Sequence, residues 1–449
     1  MSSYDWNPTS FGQDMRHHFS FAPGYRNLNH GSFGTSPRAI RDRANALRDE
    51  CESNPCPFIK YRFPELLDES RSAMSEFLGV PRSTVVFVPN ATTGVNTVLR
   101  NITWNPDGKD EIIQLDIIYG ACGKTTSYIC ESTQQRVRTR EVGFKYPVET
   151  SEIVSNFQKV IQQSKAEGFQ PRVAIFDTIS SNPGIRLPFK ELAAVCREEN
   201  VLSLVDAAHG IGQIDLDISS WDPDFLVTNC HKWLYTPRGC AVFYVPMRNQ
   251  GMIRSTLPTS HGFVVHETPA VDLQGAKKQE NSLQKKTEFE INFEFVGTID
   301  NIAFLTIPAA IKWRRQVCGG EQKIQEYCIS LAKKGGLRVA EILGTRILDD
   351  TDHCMTNCSM VNILLPLERP TSGTGSLVKC KGSTETATIT DWMQLTLIEN
   401  WKTFMPIFPF QGRWWVRLSG QIYLDDSDFE WAGWTLKAVC EQLEQETFV

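Results

Sequence analysis

Between Thr84 and Val245 the chain repeats one pattern: a short, unbroken apolar run, then a polar or glycine-bearing turn, then a segment with helical periodicity. The runs are TVVFVP, EIIQLD, RVAIFD, VLSLVD, DFLVTN and CAVFYV. A strand wetted on one face would alternate apolar with polar residues. Unbroken runs belong to strands covered on both faces, and helices between them return the chain for parallel pairing. The pattern therefore predicts an α/β fold with a mainly parallel sheet. Ligands of such sheets gather at the carboxyl ends of the strands. Asn90 to Thr93, Tyr119, Ser181 with Asn182, Asp206, and His231 with Lys232 each follow one of the runs. Five separate segments thus point at one crevice.

The rest of the chain frames that sheet. At 449 residues it is long enough for a large domain and a smaller companion. Residues 1–37 read as an N-terminal arm, entering a helix from Arg38 to Glu50. Residues 38–303 hold the large domain, with a second helix from Leu66 to Leu78. Residues 304–449 read as a small α+β domain with strands VNILLPL and RWWVRLS and a closing helix from Phe429. Pro258 to Glu290 is polar and charge-rich without periodicity, which predicts a long loop.

Composition excludes some functions. Lys and Arg number 46 against 52 Asp and Glu, and the basic residues form no stripe, so nucleic acid is not an expected partner. No apolar stretch approaches the length of a membrane span. Thirteen cysteines without regular spacing, and an N-terminus without an apolar leader, point to a reducing, cytosolic setting. Cys354, Cys358 and His353 lack a second ligand pair at zinc-site spacing, and no metal is expected.

Two residues carry the chemistry. Lys232, in HKW just past a strand, is either an ordinary solvated lysine or an amine whose pKa is depressed for nucleophilic work. Asp206 ends the buried run VLSLVD, where a carboxylate needs a cationic partner or serves as a helix cap. A protonated pyridine nitrogen would be such a partner. Asn90-Ala91-Thr92-Thr93-Gly94 opens a helix with backbone N–H groups and two hydroxyls, a site suited to a phosphate. Neither GxGxxG nor a P-loop occurs, which disfavours a dehydrogenase.

The run from VLSLVDAAHGIGQIDLDI through DPDFLVTNCHKWLYTPRGCAVFYV resembles the class V aminotransferase-fold enzymes, which include cysteine desulfurases and isopenicillin N epimerases. LNHGSFGTSP, PCPFIKY, TVVFVPNATTGVNTVLRN, DIIYGACGKT, RSTLPTSHGFV and FEFVGTIDN are similar to the fungal ergothioneine-pathway C–S lyases, which act on hercynylcysteine sulfoxide. The resemblance spans Tyr25 to Ala438. It implies fold type I of the pyridoxal 5′-phosphate (PLP) enzymes and a homodimer with shared active sites. By the same resemblance Lys232 carries PLP as a Schiff base and Asp206 grips its pyridine nitrogen. His209 lies near the phenolic oxygen, while Thr92, Thr93, Asn229 and His231 bind the phosphate. Thr298 reaches the phosphate held by the neighbouring subunit. Tyr119 covers the ring or acts on the substrate, Arg417 clamps its α-carboxylate, and Asn29 and His30 contact it.

One departure bears on the substrate. The turn Asp206-Ala207-Ala208-His209-Gly210 carries the histidine of the epimerase-like branch where the C–S lyase pattern has glutamine. The expected reaction is β-elimination from a cysteine-derived sulfoxide or thioether, releasing pyruvate and ammonia. Epimerisation, cyclisation or carbon–carbon bond formation on an amino acid is the rival, and a binding protein without turnover a distant third. A cysteine desulfurase needs a nucleophilic thiol on a mobile loop, and Cys354, Cys358 and Cys380 sit in no recognisable one.

Overall fold

The computed structural model describes residues 6–254, 257–259, 263, 286–367, 377–379, 386–445 and 447–448. Seven strands form the main sheet: β1 (Val85–Val88), β2 (Asp110–Leu115), β3 (Val137–Val142), β4 (Gln170–Asp177), β5 (Leu202–Asp206), β6 (Phe225–Asn229) and β7 (Ala241–Tyr244). Their order is β1-β7-β6-β5-β4-β2-β3. Only β7 runs against the rest, pairing antiparallel with both β1 and β6. Six of the strands are the apolar runs of the sequence. The seventh, β3, reads VRTREV and is an edge strand whose outer residues face water, so charge is tolerated and the apolar signal fails there.

A second, antiparallel sheet pairs β8 (Met360–Leu364) with the strand Arg413–Ser419, which also pairs with Ile407–Phe410. The helix Glu321–Leu343 and the C-terminal helix Asp426–Glu444 pack together beside it. The N-terminal segment is stitched to this region rather than to its own sequence neighbours. Gly12 N donates to the Ile422 carbonyl, and Ser419 N donates to that of Leu28. The helices expected from Arg38 and Leu66 run Arg38–Ser53 and Phe63–Leu78. Of the loop expected over 258–290, residues 260–262 and 264–285 lie outside the described residues. Its end is ordered as the short helix Glu288–Asn292, held by a buried Arg71–Glu290 ion pair. No described helix is long and apolar enough to cross a membrane.

Candidate active site

Lys232 sits on the single helical turn Cys230–Trp233, directly after β6. Two glycines let backbone close on this turn from both sides. A Cβ on Gly34, at φ +62°, would fall 1.8 Å from the His231 carbonyl oxygen, and one on Gly212, at φ +76°, would fall 2.5 Å from that of Trp233. No side chain fits either gap, and both dihedrals favour glycine. The fully buried Arg314 donates to the Trp233 and Gly212 carbonyls and pairs with Glu321, locking the turn further.

Hydrogen bonding fixes the tautomer that faces the amine. Trp233 Nε1, a donor only, points at His209 Nδ1 at 3.2 Å, so that nitrogen accepts. Burial holds the His209 ring far below its usual pKa and therefore neutral, which leaves its proton on Nε2. Lys232 Nζ lies 3.0 Å from Nε2 and, once deprotonated, accepts that proton's hydrogen bond as a free amine. Desolvation lowers the Lys232 pKa to about 8 in accord with this, against the raising influence of Asp206.

Asp206 ends β5 and is 2% exposed. It accepts from Ala208 N at 2.9 Å and from the Cys122 thiol at 3.3 Å, while burial raises its pKa. Asp177 ends the neighbouring β4 directly opposite it, equally buried. Neither Cys122 nor Asp177 stood among the residues expected from sequence. RVAIFD ends in aspartate as VLSLVD does, and that shared ending was the available signal.

The anion site is partly committed to the protein. Asn90 Oδ1 accepts from Thr93 N and its hydroxyl, and Asn229 Oδ1 accepts from Ala91 N. Asn229 thus ties β6 to the helix Ala91–Asn101 and leaves the Thr92 side of the helix start for a ligand. His231 donates through Nδ1 to the Cys240 carbonyl at 3.0 Å, and burial pulls its pKa to about 4. An arriving dianion would draw a proton onto its other nitrogen.

Arg417, on the strand Arg413–Ser419, is 1% exposed, and among the described residues no carboxylate pairs with it. Its nitrogens reach the Ser181 carbonyl at 2.5 Å, Asn29 Oδ1 at 2.9 Å and Ser32 Oγ at 2.7 Å, and its Nε has no partner. Desolvation lowers its pKa to about 10. A buried cation held only by neutral groups is a receptor for an anion.

Two expected substrate contacts take other positions. His30 is fully buried, with one nitrogen at the Tyr423 hydroxyl and the other at the Lys232 carbonyl, so it supports the lysine instead of meeting substrate. Asn29 orients Arg417. Tyr119 caps the helix Gly120–Ser132 and is 45% exposed. Thr298 is exposed, with no hydrogen bond to Thr92, Thr93 or His231 of its own chain among the described contacts. Cys354 is exposed whereas Cys358 is buried, its thiol directed at the Met360 carbonyl; Cys380 lies outside the described residues.

A buried carboxylate for a ring cation, a helix start for a phosphate and a neutral amine for a carbonyl carbon match the donor set that PLP requires. The family model for class-V aminotransferases matches residues 59–366. The chain belongs to the class-V aminotransferase family. It is 36% identical over 443 residues to an L-cysteine desulfhydrase-like protein of Epichloe uncinata, covering 96% of both chains. It is 31% identical over 432 residues to the hercynylcysteine sulfoxide lyase of Schizosaccharomyces pombe, covering 96% of this chain and 98% of that one. Among solved structures, a mutant of C-DES with glycine covalently linked to its PLP cofactor superposes with TM-score 0.73 at 19% identity, covering 94% and 98% of the two chains. This member of the class-V aminotransferase family accordingly has the fold-type-I architecture.

Proposed function

We propose that the protein is a PLP-dependent lyase that cleaves the C–S bond of a cysteine-derived sulfoxide or thioether by β-elimination. The observation that carries the reading is the buried amine of Lys232, 3.0 Å from His209 and within electrostatic reach of the unpaired cation of Arg417. The cysteine desulfhydrase-like and sulfoxide lyase relatives support C–S cleavage as the outcome.

When bound, PLP supplies an electron sink beside the α-carbon of an amino acid. Lys232 would hold the cofactor, Asp206 its ring nitrogen, and Thr92, Thr93, Asn229 and His231 its phosphate. Arg417 binds the α-carboxylate through its unsatisfied nitrogen, which fixes the orientation of the α-carbon. The Lys232 amine, neutral near pH 8, then takes the α-proton. The C–S bond breaks, and the sulfur group leaves as a thiol or sulfenic acid with a proton that the exposed Tyr119 hydroxyl would supply. The three-carbon remainder is hydrolysed to pyruvate and ammonia. Thr298 completes the phosphate site of the second subunit in a homodimer.

The Lys232 amine held by His209 favours a second reading, because an amine that has taken a proton from carbon can return it and so support epimerisation or carbon–carbon bond formation. Incubation of the purified protein with cysteine conjugates, their sulfoxides and unsubstituted amino acids separates the two. Pyruvate release with the sulfur compounds is the expected result. Exchange of the α-proton without pyruvate from any of them overturns the lyase reading in favour of the second.

A further inference from the structure

Asp177 is a buried carboxyl group that the proposed reaction does not use. It is 4% exposed, and its carboxyl makes no hydrogen bond to the protein among the described contacts, whereas its neighbours are well supplied. Asp206 accepts from Ala208 N and the Cys122 thiol. Asp116, at the end of β2, accepts from Phe144 N and the Tyr146 hydroxyl. Asp177 stands between them, because β4 lies between β2 and β5 in the sheet. It is paired in register with Asp206 across the β4–β5 ladder, which sets their backbones about 4.8 Å apart.

We propose that Asp177 and Asp206 share a single proton while no cation is bound, and give it up to solvent when a cationic ring is seated against Asp206. Asp177 is then a positioning residue: it acts on the ring through Asp206 by making the floor of the site doubly negative. This rests on the PLP reading above. Two carboxylates side by side in a desolvated edge cannot both ionise without a counter-charge. The groups facing Asp177 are Asp206 on β5, the Lys232 amine, the Cys122 thiol, the Tyr146 hydroxyl and, beyond Tyr146, Asp116. The thiol and the phenol are themselves pushed above their usual pKa and stay neutral, so only Lys232 offers positive charge. A cation below about pH 8, it loses that charge when it gives up its proton and accepts from His209 as a free amine. A cationic ring replaces the missing counter-charge.

The consequences for pH have a definite sign. Burial and the Asp206 charge raise Asp177 well above the ordinary 3.8. The folded apoprotein therefore binds more protons than the unfolded chain above pH 3.8, and its stability falls as pH rises through the folded-state pKa. Asp177→Asn removes that loss without changing the shape of the side chain.

The test uses the cofactor-free protein and PLP itself. Asp177→Asn is expected to raise the apoprotein Tm at pH 8 by several degrees, to leave it unchanged near pH 4, and to weaken PLP binding roughly tenfold, one pKa unit's worth of lost charge. Asp177→Ser serves as a second uncharged variant with the same expected signs. In an Asp206→Asn background the gain in Tm should shrink to the part that burial alone imposes, since no like charge remains to be relieved. A lower Tm at pH 8 in both variants, or a gain undiminished without Asp206, overturns the shared-proton pair. PLP affinity equal to wild type in both variants overturns the positioning role. Failure of the wild-type protein to bind PLP at all would instead remove the reading on which the proposal rests, and the apoprotein arm keeps these failures apart.

Discussion

His30 Nε2 lies 2.5 Å from the carbonyl oxygen of Lys232, and its Nδ1 lies 2.9 Å from the Tyr423 hydroxyl. A carbonyl only accepts, so Nε2 carries the proton and Nδ1 accepts from the tyrosine, whose oxygen in turn accepts from Asn27. Burial holds the ring at a pKa of about 3, so this arrangement is fixed across the whole working pH range. The N-terminal arm and the C-terminal region therefore meet on the backbone of the residue that bears the amine.

Replacing His30 tests that support. His30→Ala should cost about 1–3 kcal/mol of stability, because the Tyr423 hydroxyl and the Lys232 carbonyl are left buried without partners. A substrate contact would behave differently, raising KM and leaving the apoprotein unchanged. Thermal unfolding without cofactor, beside KM and kcat for the best substrate, distinguishes these, and an unaltered Tm would remove His30 from the role described.

The amine itself should report its pKa. Below pH 8 the buried Lys232 is protonated at a desolvation cost, while the unfolded chain keeps its proton up to 10.5. Between these values the unfolded state binds more protons, so this contribution to stability rises with pH. The rate at which the apoprotein captures PLP should likewise climb through an apparent pKa of about 8, since the free amine is the attacking form. Lys232→Met should abolish borohydride fixation of the cofactor to the chain. A capture rate independent of pH from 6 to 10, or fixation that survives the substitution, would place the reactive amine elsewhere.

Arg417→Ala should weaken binding of the amino acid by roughly 2–5 kcal/mol, because a substrate carboxylate would be desolvated without a counter-charge. PLP content should stay the same. Two other arginines, Arg62 and Arg238, are committed elsewhere: Arg62 to Glu50 and Glu65, and Arg238 to the Phe33 and Gly34 carbonyls. Normal KM in the variant would show that the carboxylate docks away from this cation.

What could be read in advance follows from what burial does to a sequence. Strands sealed on both faces must be apolar throughout, which made β1, β2 and β4 to β7 legible along with the polar edge that holds Lys232 and Asp206. β3 escaped because a sheet edge admits Arg138, Arg140 and Glu141. Asp177 escaped for a different reason: the pattern shows where a strand ends, whereas only register shows which strand end stands beside which. His30 was visible as a polar residue of the arm, but its partner Tyr423 lies 393 residues away, and no local rule connects them.

Thr298 offers the sharpest test of assembly. It is exposed, in the turn after Gly297 at φ +117°, and none of its own chain's proposed phosphate ligands bonds to it. Ile299 beside it is 54% exposed, and Phe33, next to the Gly34 that closes on the Lys232 turn, is 66% exposed. If two chains close their sites on each other, Thr298 of one completes the phosphate cradle formed by Thr92, Thr93 and His231 of the other. Cofactor binding and dimerisation then strengthen one another by mass action. Thr298→Glu should repel the phosphate and Lys232→Ala should remove the amine, so each homodimer is inactive. In a mixed dimer, the site with an intact Lys232 receives its Thr298 from the Lys232→Ala chain and is whole, while the other site carries both lesions. Activity should therefore reappear on mixing, approaching half the wild-type value per mixed dimer. Subunit exchange measured by mass, without recovery of activity, would show that each chain builds its phosphate site alone.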